Sequence, residues 1–155
     1  MQEITRRCGG CNACCKPFAI PDINKHTATW CTHCDRGVGC RIYETRPEAC
    51  RAFTCAWLTG TGDESDRPDR TGFIMGLFGR KVGERSFEIL ELLEIESGAL
   101  ETARAKQIVD HVARGGYVVV LRRQVSDTEY QPETVCRHGL LTPDEHAALV
   151  RALSA

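Results

Sequence analysis

Hydrophobic side chains recur at regular spacing beyond residue 72 and irregularly before it. Residues 73–78 form a short apolar run bounded by glycines, and residues 117–122 are rich in β-branched and aromatic side chains, so both segments are predicted to be strands. Residues 86–95 are ambiguous, because glutamates at 88, 91 and 94 fit a helical face whereas alternate apolar residues fit one face of a strand. We favour a strand there.

Two helices are predicted in the same half of the chain. The first covers residues 99–114, where four apolar residues share one face: Ala105, Ile108, Val109 and Val112. Gly115 and Gly116 end this helix. The second has a strong start signal, since Thr142 is placed to act as N-cap, Pro143 occupies the first position and Glu145 completes a capping box.

Composition divides the chain into three segments. Residues 1–58 are rich in cysteine and interrupted too often by glycine and proline for long regular elements. Residues 59–72 are rich in Gly, Asp, Ser and Pro, which predicts an exposed loop connector. Residues 73–155 form a small α+β support region, expected to make one domain with the first segment, because 155 residues with 42% hydrophobic content are typical of a single domain.

Nine of the ten cysteines fall within the first 55 residues. They are Cys8, Cys11, Cys14, Cys15, Cys31, Cys34, Cys40, Cys50 and Cys55. A C-x-x-C pair places two sulfurs within reach of one ion, so two such pairs about 15 residues apart can close a tetrahedral shell. All nine are candidate metal ligands. The expected fold is therefore α+β, with an irregular, metal-stapled N-terminal part packed on a small sheet of about three strands with two helices.

The adjacent residues Cys14 and Cys15 complicate a single site. Neighbouring side chains usually point apart, so either one of the two is a bystander or there are two metals. Nine cysteines could fill two closed four-sulfur zinc sites with one left over, or supply an iron–sulfur cluster together with a zinc site. Spacing alone leaves both possibilities open.

Residues between the cysteines have candidate supporting roles. Arg46 and Arg51 could donate N–H groups to thiolate sulfurs, or could form surface salt bridges with Glu44 or Glu48. His33 lies inside the second C-x-x-C pair and could replace a cysteine as a nitrogen ligand. Cys136 lies far from the nine along the chain, in a polar segment.

The combined cysteine motif resembles a known family. It reads Cys8-x-x-Cys11-x-x-Cys14-Cys15, Trp30-Cys31-x-x-Cys34, Gly39-Cys40 and Arg46-Pro47-x-x-Cys50-Arg51-x-Phe53-x-Cys55-x-Trp57. This pattern resembles the CxxCxxCC, or YkgJ-like, cysteine-cluster proteins, described as zinc- or iron-chelating domains. The resemblance spans about residues 8–57, and eight cysteines match family positions: Cys8, Cys11, Cys14, Cys15, Cys34, Cys40, Cys50 and Cys55.

That resemblance implies metal binding and no general enzymatic role. A related cluster in a flagellin lysine methylase looks like an iron–sulfur site, which keeps iron as the alternative to zinc. The chain itself lacks a phosphate-binding loop, a nucleophile elbow and an H-E-x-x-H motif. The acidic positions Glu88, Glu91, Glu94 and Glu96 are most simply a solvated face. We therefore lean away from an enzyme.

Charge and hydropathy limit the partners and the location. The 20 Lys and Arg residues nearly balance 21 Asp and Glu residues, which argues against electrostatically driven nucleic-acid binding. Arginines near the cysteines would first offset the negative charge of thiolates. No apolar run approaches a membrane span, so no membrane association is expected and the cytoplasm is the expected location, where thiols stay reduced.

Three functional hypotheses follow. The first is a protein that chelates zinc through its cysteine cluster, with a structural role or as an interaction module for a protein partner. The second is an iron or iron–sulfur module that serves a partner enzyme. The third is a zinc-organised adaptor for nucleic acid or protein. The sequence does not indicate an oligomeric state.

Overall fold

The computed structural model describes residues 3–154, and its first third contains only short elements. Strands β1 (Cys34–Asp35) and β2 (Gly39–Cys40) form a minimal antiparallel hairpin, and α1 (Glu48–Ala52) is little more than one helical turn. Short 3₁₀ turns connect them: Ala13–Cys15, Pro21–Ile23 and Tyr43–Thr45. The expected lack of long regular elements is confirmed for the described part of this segment.

The segment predicted to be an exposed loop, residues 59–72, is instead partly helical and partly buried. It contains the 3₁₀ turn Glu64–Asp66 and helix α2 (Pro68–Thr71). Asp66 is only 1% exposed, and its carboxylate accepts hydrogen bonds from Arg104 Nε at 2.7 Å and from the Asp63 amide at 2.7 Å. This long-range ion pair, which local turn propensity does not reveal, holds the segment against the rest of the protein.

The second half of the chain is built on one four-stranded sheet. Its strands are β3 (Phe73–Val82), β4 (Arg85–Glu94), β5 (Val118–Ser126) and β6 (Glu129–Val135), in the order β3-β4-β5-β6. The central pair β4 and β5 is parallel, and the two outer pairs are antiparallel. The α+β class is confirmed, as are the three predicted strands, including the ambiguous segment 86–95.

The predicted count of about three strands is corrected to four by β6. Its sequence carries Pro132 and four polar or charged residues, which weaken a strand signal. Proline is tolerated there because β6 is an edge strand, hydrogen-bonded to a neighbour on one side only. The two-residue hairpin β1–β2 forms a second, separate sheet.

Two long helices accompany the sheet, as predicted, beside the short α1 and α2. Helix α3 (Ala103–Arg114) begins later than expected, because the Thr102 hydroxyl caps it by accepting a hydrogen bond from the Ala105 amide at 3.2 Å. Helix α4 (Pro143–Ser154) has the predicted capping box: the Thr142 amide donates to Glu145 Oε2 at 2.8 Å, and the Glu145 amide donates to Thr142 Oγ1 at 3.2 Å.

Both faces of the sheet are covered, which explains the nearly continuous apolar runs of its central strands. On one face, buried Leu90, Val119 and Leu121 belong to a core cluster that includes α3 and the cysteine region. On the other face, Ile89, Val118 and Val120 share a second cluster with Leu149 and Leu153 of α4. Strand β5 follows β4 through helix α3 in a parallel crossover. Helix α3 covers one face of the central strands and α4 covers the other, so these strands are buried on both sides.

Two glutamates of the acidic run do not lie on a solvated face. Glu94 is 6% exposed, and its carboxylate accepts hydrogen bonds from the amides of Gly98 at 2.9 Å and Gln124 at 3.1 Å. Glu91 is ion-paired with Arg122. These partners come from the loop after β4 and from β5, so they are invisible to local pattern reasoning. Glu88 and Glu96 are exposed, as expected.

Within residues 3–154, no helix is long and apolar enough to cross a membrane.

The buried ion pair of Asp66 gives a first prediction. Asp66→Asn should lower the free energy of unfolding by about 2 kcal/mol, because it removes the buried carboxylate charge that pairs with Arg104. The matched control is Asp110→Asn, since Asp110 pairs with Arg114 on the exposed surface of α3, and a change below about 0.5 kcal/mol is expected there. Urea unfolding of both variants measures the difference.

The same ion pair sets a pH dependence. Arg104 holds the pKa of Asp66 below its ordinary value. The stabilising contribution is therefore complete above the unfolded-state pKa of roughly 4 and is lost as the pH falls through the lower folded-state pKa. The gap between wild type and Asp66→Asn should close in that acid range. A gap that is equal at neutral pH for Asp66→Asn and Asp110→Asn would contradict this account.

Candidate metal centre

The β1–β2 hairpin positions three of the cysteines. The Cys34 amide donates to the Cys31 carbonyl at 3.1 Å, which closes the Cys31-x-x-Cys34 turn, and the His33 amide lies 3.4 Å from Cys31 Sγ. Cys34 and Cys40 are directly opposite across the two strands. Residues directly opposite each other on antiparallel strands have Cβ atoms only about 5 Å apart, so the hairpin brings the Cys34 and Cys40 side chains close together.

A second turn positions the first C-x-x-C pair against that hairpin. The Cys11 amide donates to the Cys8 carbonyl at 3.0 Å, with Gly9 in the left-handed region at φ +56°. A Cβ on Gly10 would lie 2.8 Å from the Gly37 carbonyl oxygen, so the turn can approach the hairpin this closely only with glycine there. The two cysteine motifs are thereby brought together from different parts of the sequence.

Cys50 and Cys55 complete the group from helix α1 and from the turn that follows it. Cys50 lies within α1, while Cys55 precedes the 3₁₀ turn Ala56–Thr59. The backbone amides of Trp57, Leu58 and Met75 face the Cys55 sulfur. Amides directed at a buried sulfur favour its thiolate form, which is the form that binds metals.

The sulfurs surround two connected spaces. An open cavity of about 600 Å³ is lined by seven of the cysteines: Cys8, Cys11, Cys14, Cys15, Cys31, Cys40 and Cys50. A much smaller void of about 20 Å³ is lined by four: Cys8, Cys11, Cys14 and Cys55. Cys34 lines neither space and joins the group through its pairing with Cys40 across the hairpin. The structure thus brings all nine predicted site cysteines into one region.

Cys136 lies apart from the nine cysteines, whereas His33 lies in the hairpin turn beside Cys34. Cys136 packs against the core cluster on the α4 face of the sheet, away from the other nine. The backbone of His33 is part of the hairpin turn, where its carbonyl accepts from the Arg41 amide at 2.9 Å.

Burial opposes ionisation of several of these thiols. Burial raises the pKa of Cys8, Cys11, Cys50 and Cys55, and raises that of Cys34 to about 12. A hydrogen bond with Cys14, together with burial, raises the pKa of Cys15. All ten cysteines are free thiols. A soft metal ion would displace these protons, since thiolates are the ligating form.

Three polar residues lie at the site although the sequence pattern did not indicate them. Asn12 is 6% exposed, and its Nδ2 donates to Cys34 Sγ at 2.9 Å and to the Asp35 carbonyl at 2.7 Å. Lys25 is 8% exposed and lines the larger cavity. Arg67 acts electrostatically on Cys8 and Cys11. Its position next to Cys11 is the one feature of the local sequence that points to Asn12 as part of the site.

The arginines of the cysteine-rich segment differ in the groups that they contact. Arg46 lines the larger cavity, stacks on Tyr43 at 3.8 Å, and its buried Nε has no hydrogen-bond partner. Arg51 instead forms the alternative salt bridge with Glu48 at 3.4 Å. Arg6 instead donates to the backbone carbonyls of Trp57 at 3.0 Å and of the connector residues Thr61 at 3.1 Å and Gly62 at 2.8 Å. Only part of the N-terminal positive charge is therefore directed at sulfur.

Within the described range, no group of three or more His, Cys, Asp or Glu side chains is already arranged so as to hold a metal ion. Zinc–sulfur bonds are about 2.3 Å long, so loading would require thiol rotations that draw the sulfurs together. No family model, curated protein or solved structure matches the chain.

The buried ammonium group gives a second prediction. Lys25 Nζ donates to the carbonyls of Phe18, Lys16 (2.9 Å) and His26 (3.0 Å). Lys25→Met keeps the stem but leaves these acceptors unpaired, so it should cost about 3 kcal/mol of unfolding free energy. Lys81→Met, at an exposed position of β3, is the matched control and should be nearly neutral. Equal urea midpoints for the two variants would refute the assigned role of Lys25.

Proposed function

We propose that this protein binds zinc through its cysteine cluster and that the metal has a structural role in its N-terminal third. The observation that carries the proposal is the convergence of eight thiols, from five separate parts of the chain, around two spaces that share Cys8, Cys11 and Cys14. Thiolate sulfur is a soft ligand that favours zinc, copper(I) and iron–sulfur clusters over harder ions. The donor set therefore fits zinc.

The scarcity of apolar burial supports a structural role. Between residues 3 and 54, the buried hydrophobic residues are only Ala13, Ile20 and Ala28. A segment of this length needs another source of stability, because ordering each residue costs about 1–2 kcal/mol of conformational entropy. Metal–thiolate bonds would supply it, as structural zinc does in other small domains.

The charges around the sulfurs also fit a bound metal with thiolate ligands. A zinc ion with four thiolates carries about −2 charges. Arg46 and Lys25 line the larger cavity, and Arg67 lies beside Gly9 in the first C-x-x-C turn, so all three bring positive charge to the cluster. Among residues 3–154, the buried Arg46 Nε has no hydrogen-bond partner. A thiolate would give this buried donor a partner. We place the protein in the cytoplasm, whose reducing conditions keep free thiols available.

An iron–sulfur cluster is the second candidate. The volume of the larger cavity, about 600 Å³, exceeds what a single ion needs. A cluster bound there would make the protein a redox or accessory module for a partner enzyme. Zinc is preferred because the four thiols around the small void leave room for an ion and not for a cluster.

Metal removal gives a third prediction. Chelation should unfold residues 3–58, because structural zinc contributes on the order of 10 kcal/mol to such domains. The sheet β3–β6 should stay folded, because its two hydrophobic clusters lie mostly outside the cysteine region. Hydrogen exchange read by mass spectrometry, with and without chelator, measures each region separately.

A Cys136→Ser variant serves as the control for that experiment. Its cysteine packs on the opposite face of the sheet, so the metal content and the protection of residues 3–58 should match wild type. If chelated wild-type protein kept full protection in residues 3–58, the structural role proposed for the metal would be abandoned.

A further inference from the structure

We propose that the groove between helix α3 and strand β6 binds a small carboxylate with an aliphatic body, whose negative charge is held by Arg137. The groove has a volume of about 340 Å³, which is at the lower end of the range for small-molecule sites. None of the nine N-terminal cysteines lines it. The inference therefore goes beyond the proposed metal binding and uses different residues.

The groove exists because the two long helices leave one side of the edge strand β6 open. Helix α3 packs on β5, whereas α4 packs on β6 from the other face of the sheet. Val135 of β6 lies opposite Val119 of β5 and packs against the same core cluster as α3. Val119 is fully buried there, but Val135 is only half-buried. The side of β6 that faces α3 thus keeps apolar surface within reach of a ligand.

Apolar side chains form the floor of the groove. Leu121 lies on the same face of β5 as Val119, because alternate residues of a strand point to the same side. On the helix, Val109 and Ala113 are four residues apart and so share one face of α3. Leu100, just before α3, also lines the groove. Leu121, Ala113 and Leu100 are 6%, 8% and 3% exposed, so this floor is part of the core and suits an aliphatic chain.

Most of the charged side chains on the rim are already paired with each other. Near the start of α3, Glu101 forms ion pairs with both Lys106 and Arg123. Near the end of α3, Asp110 pairs with Arg114. These charges are therefore less available to a ligand than an unpaired one.

Arg137 is the rim cation that lacks such a partner. It is exposed, and it forms no ion pair within residues 3–154. The four basic and two acidic residues that line the groove give it a net charge of +2, which favours an anion. A planar guanidinium can donate two parallel N–H bonds to a carboxylate. An unpaired arginine beside an apolar floor thus fits a carboxylate with an aliphatic body.

Two-dimensional NMR of the full-length, ¹⁵N-labelled protein tests the assignment with three probes of equal chain length: hexanoate, 1-hexanol and hexylamine. At neutral pH these are an anion, a neutral molecule and a cation, so the comparison separates charge from apolar contact. Hexanoate should bind with a dissociation constant of about 1 mM, as is typical of so small a ligand. It should shift, in a saturable way, the amide resonances along the floor: Val109, Ala113, Leu121 and Val135. 1-Hexanol should bind more weakly, and hexylamine more weakly still.

Three substitutions at exposed positions test the charge contact. Arg137→Gln should weaken hexanoate binding about fivefold and leave 1-hexanol binding unchanged, because only the carboxylate contact is lost. Arg151→Gln is the matched control, since Arg151 is an exposed arginine of α4, on the other face of the sheet, and it should bind both probes as wild type does. Asp110→Asn should strengthen hexanoate binding, because it removes a carboxylate that competes for Arg114.

Equal affinity for the three probes would overturn the assignment, as would an Arg137→Gln variant that binds hexanoate like wild type. Hexanoate shifts that fall only within residues 3–58, or the lack of any saturable shift, would overturn it as well. The zinc content of the same samples is measured separately. A protein without zinc that still binds hexanoate in the groove would contradict the proposed function and leave this inference standing.

Discussion

The bond between metal and thiolate is the interaction on which the N-terminal third of this protein depends in our account. That segment buries only three hydrophobic residues of its own between positions 3 and 54, and these are small or isolated. Its turns instead gather cysteines around a cavity that Lys25 and Arg46 also line. Thiolates so close together would repel one another, and the metal ion that we propose would offset their negative charge.

The sheet supplies what the cysteine region lacks. Two hydrophobic clusters, one on each face, make β3–β6 a stable platform, and Cys55 and Trp57 extend the first of them into the cysteine region. The connector strengthens this junction through the buried Asp66 and its partner Arg104. A metal bound beside Cys55 would therefore act at the boundary between a part that is held by apolar burial and a part that is not.

Local signals in the sequence predicted much of the fold. Apolar runs located β3, β4 and β5, the capping box located α4, and the density of cysteines in the first 55 residues marked the nine that the structure places in one region. The misses share a cause, which is that the decisive partner is remote in sequence. Strand β6 carries Pro132 and is stabilised only by its pairing with β5, Asp66 is buried by Arg104, and Asn12 is recognisable only by its contact with Cys34 Sγ.

The most direct test is metal and acid-labile sulfide analysis, with an absorption spectrum, of full-length protein purified without oxygen. The account predicts colourless protein that contains zinc and no sulfide. Protein that contains no metal when purified and does not take up zinc would contradict the account, and brown protein with iron and sulfide would replace zinc by a cluster.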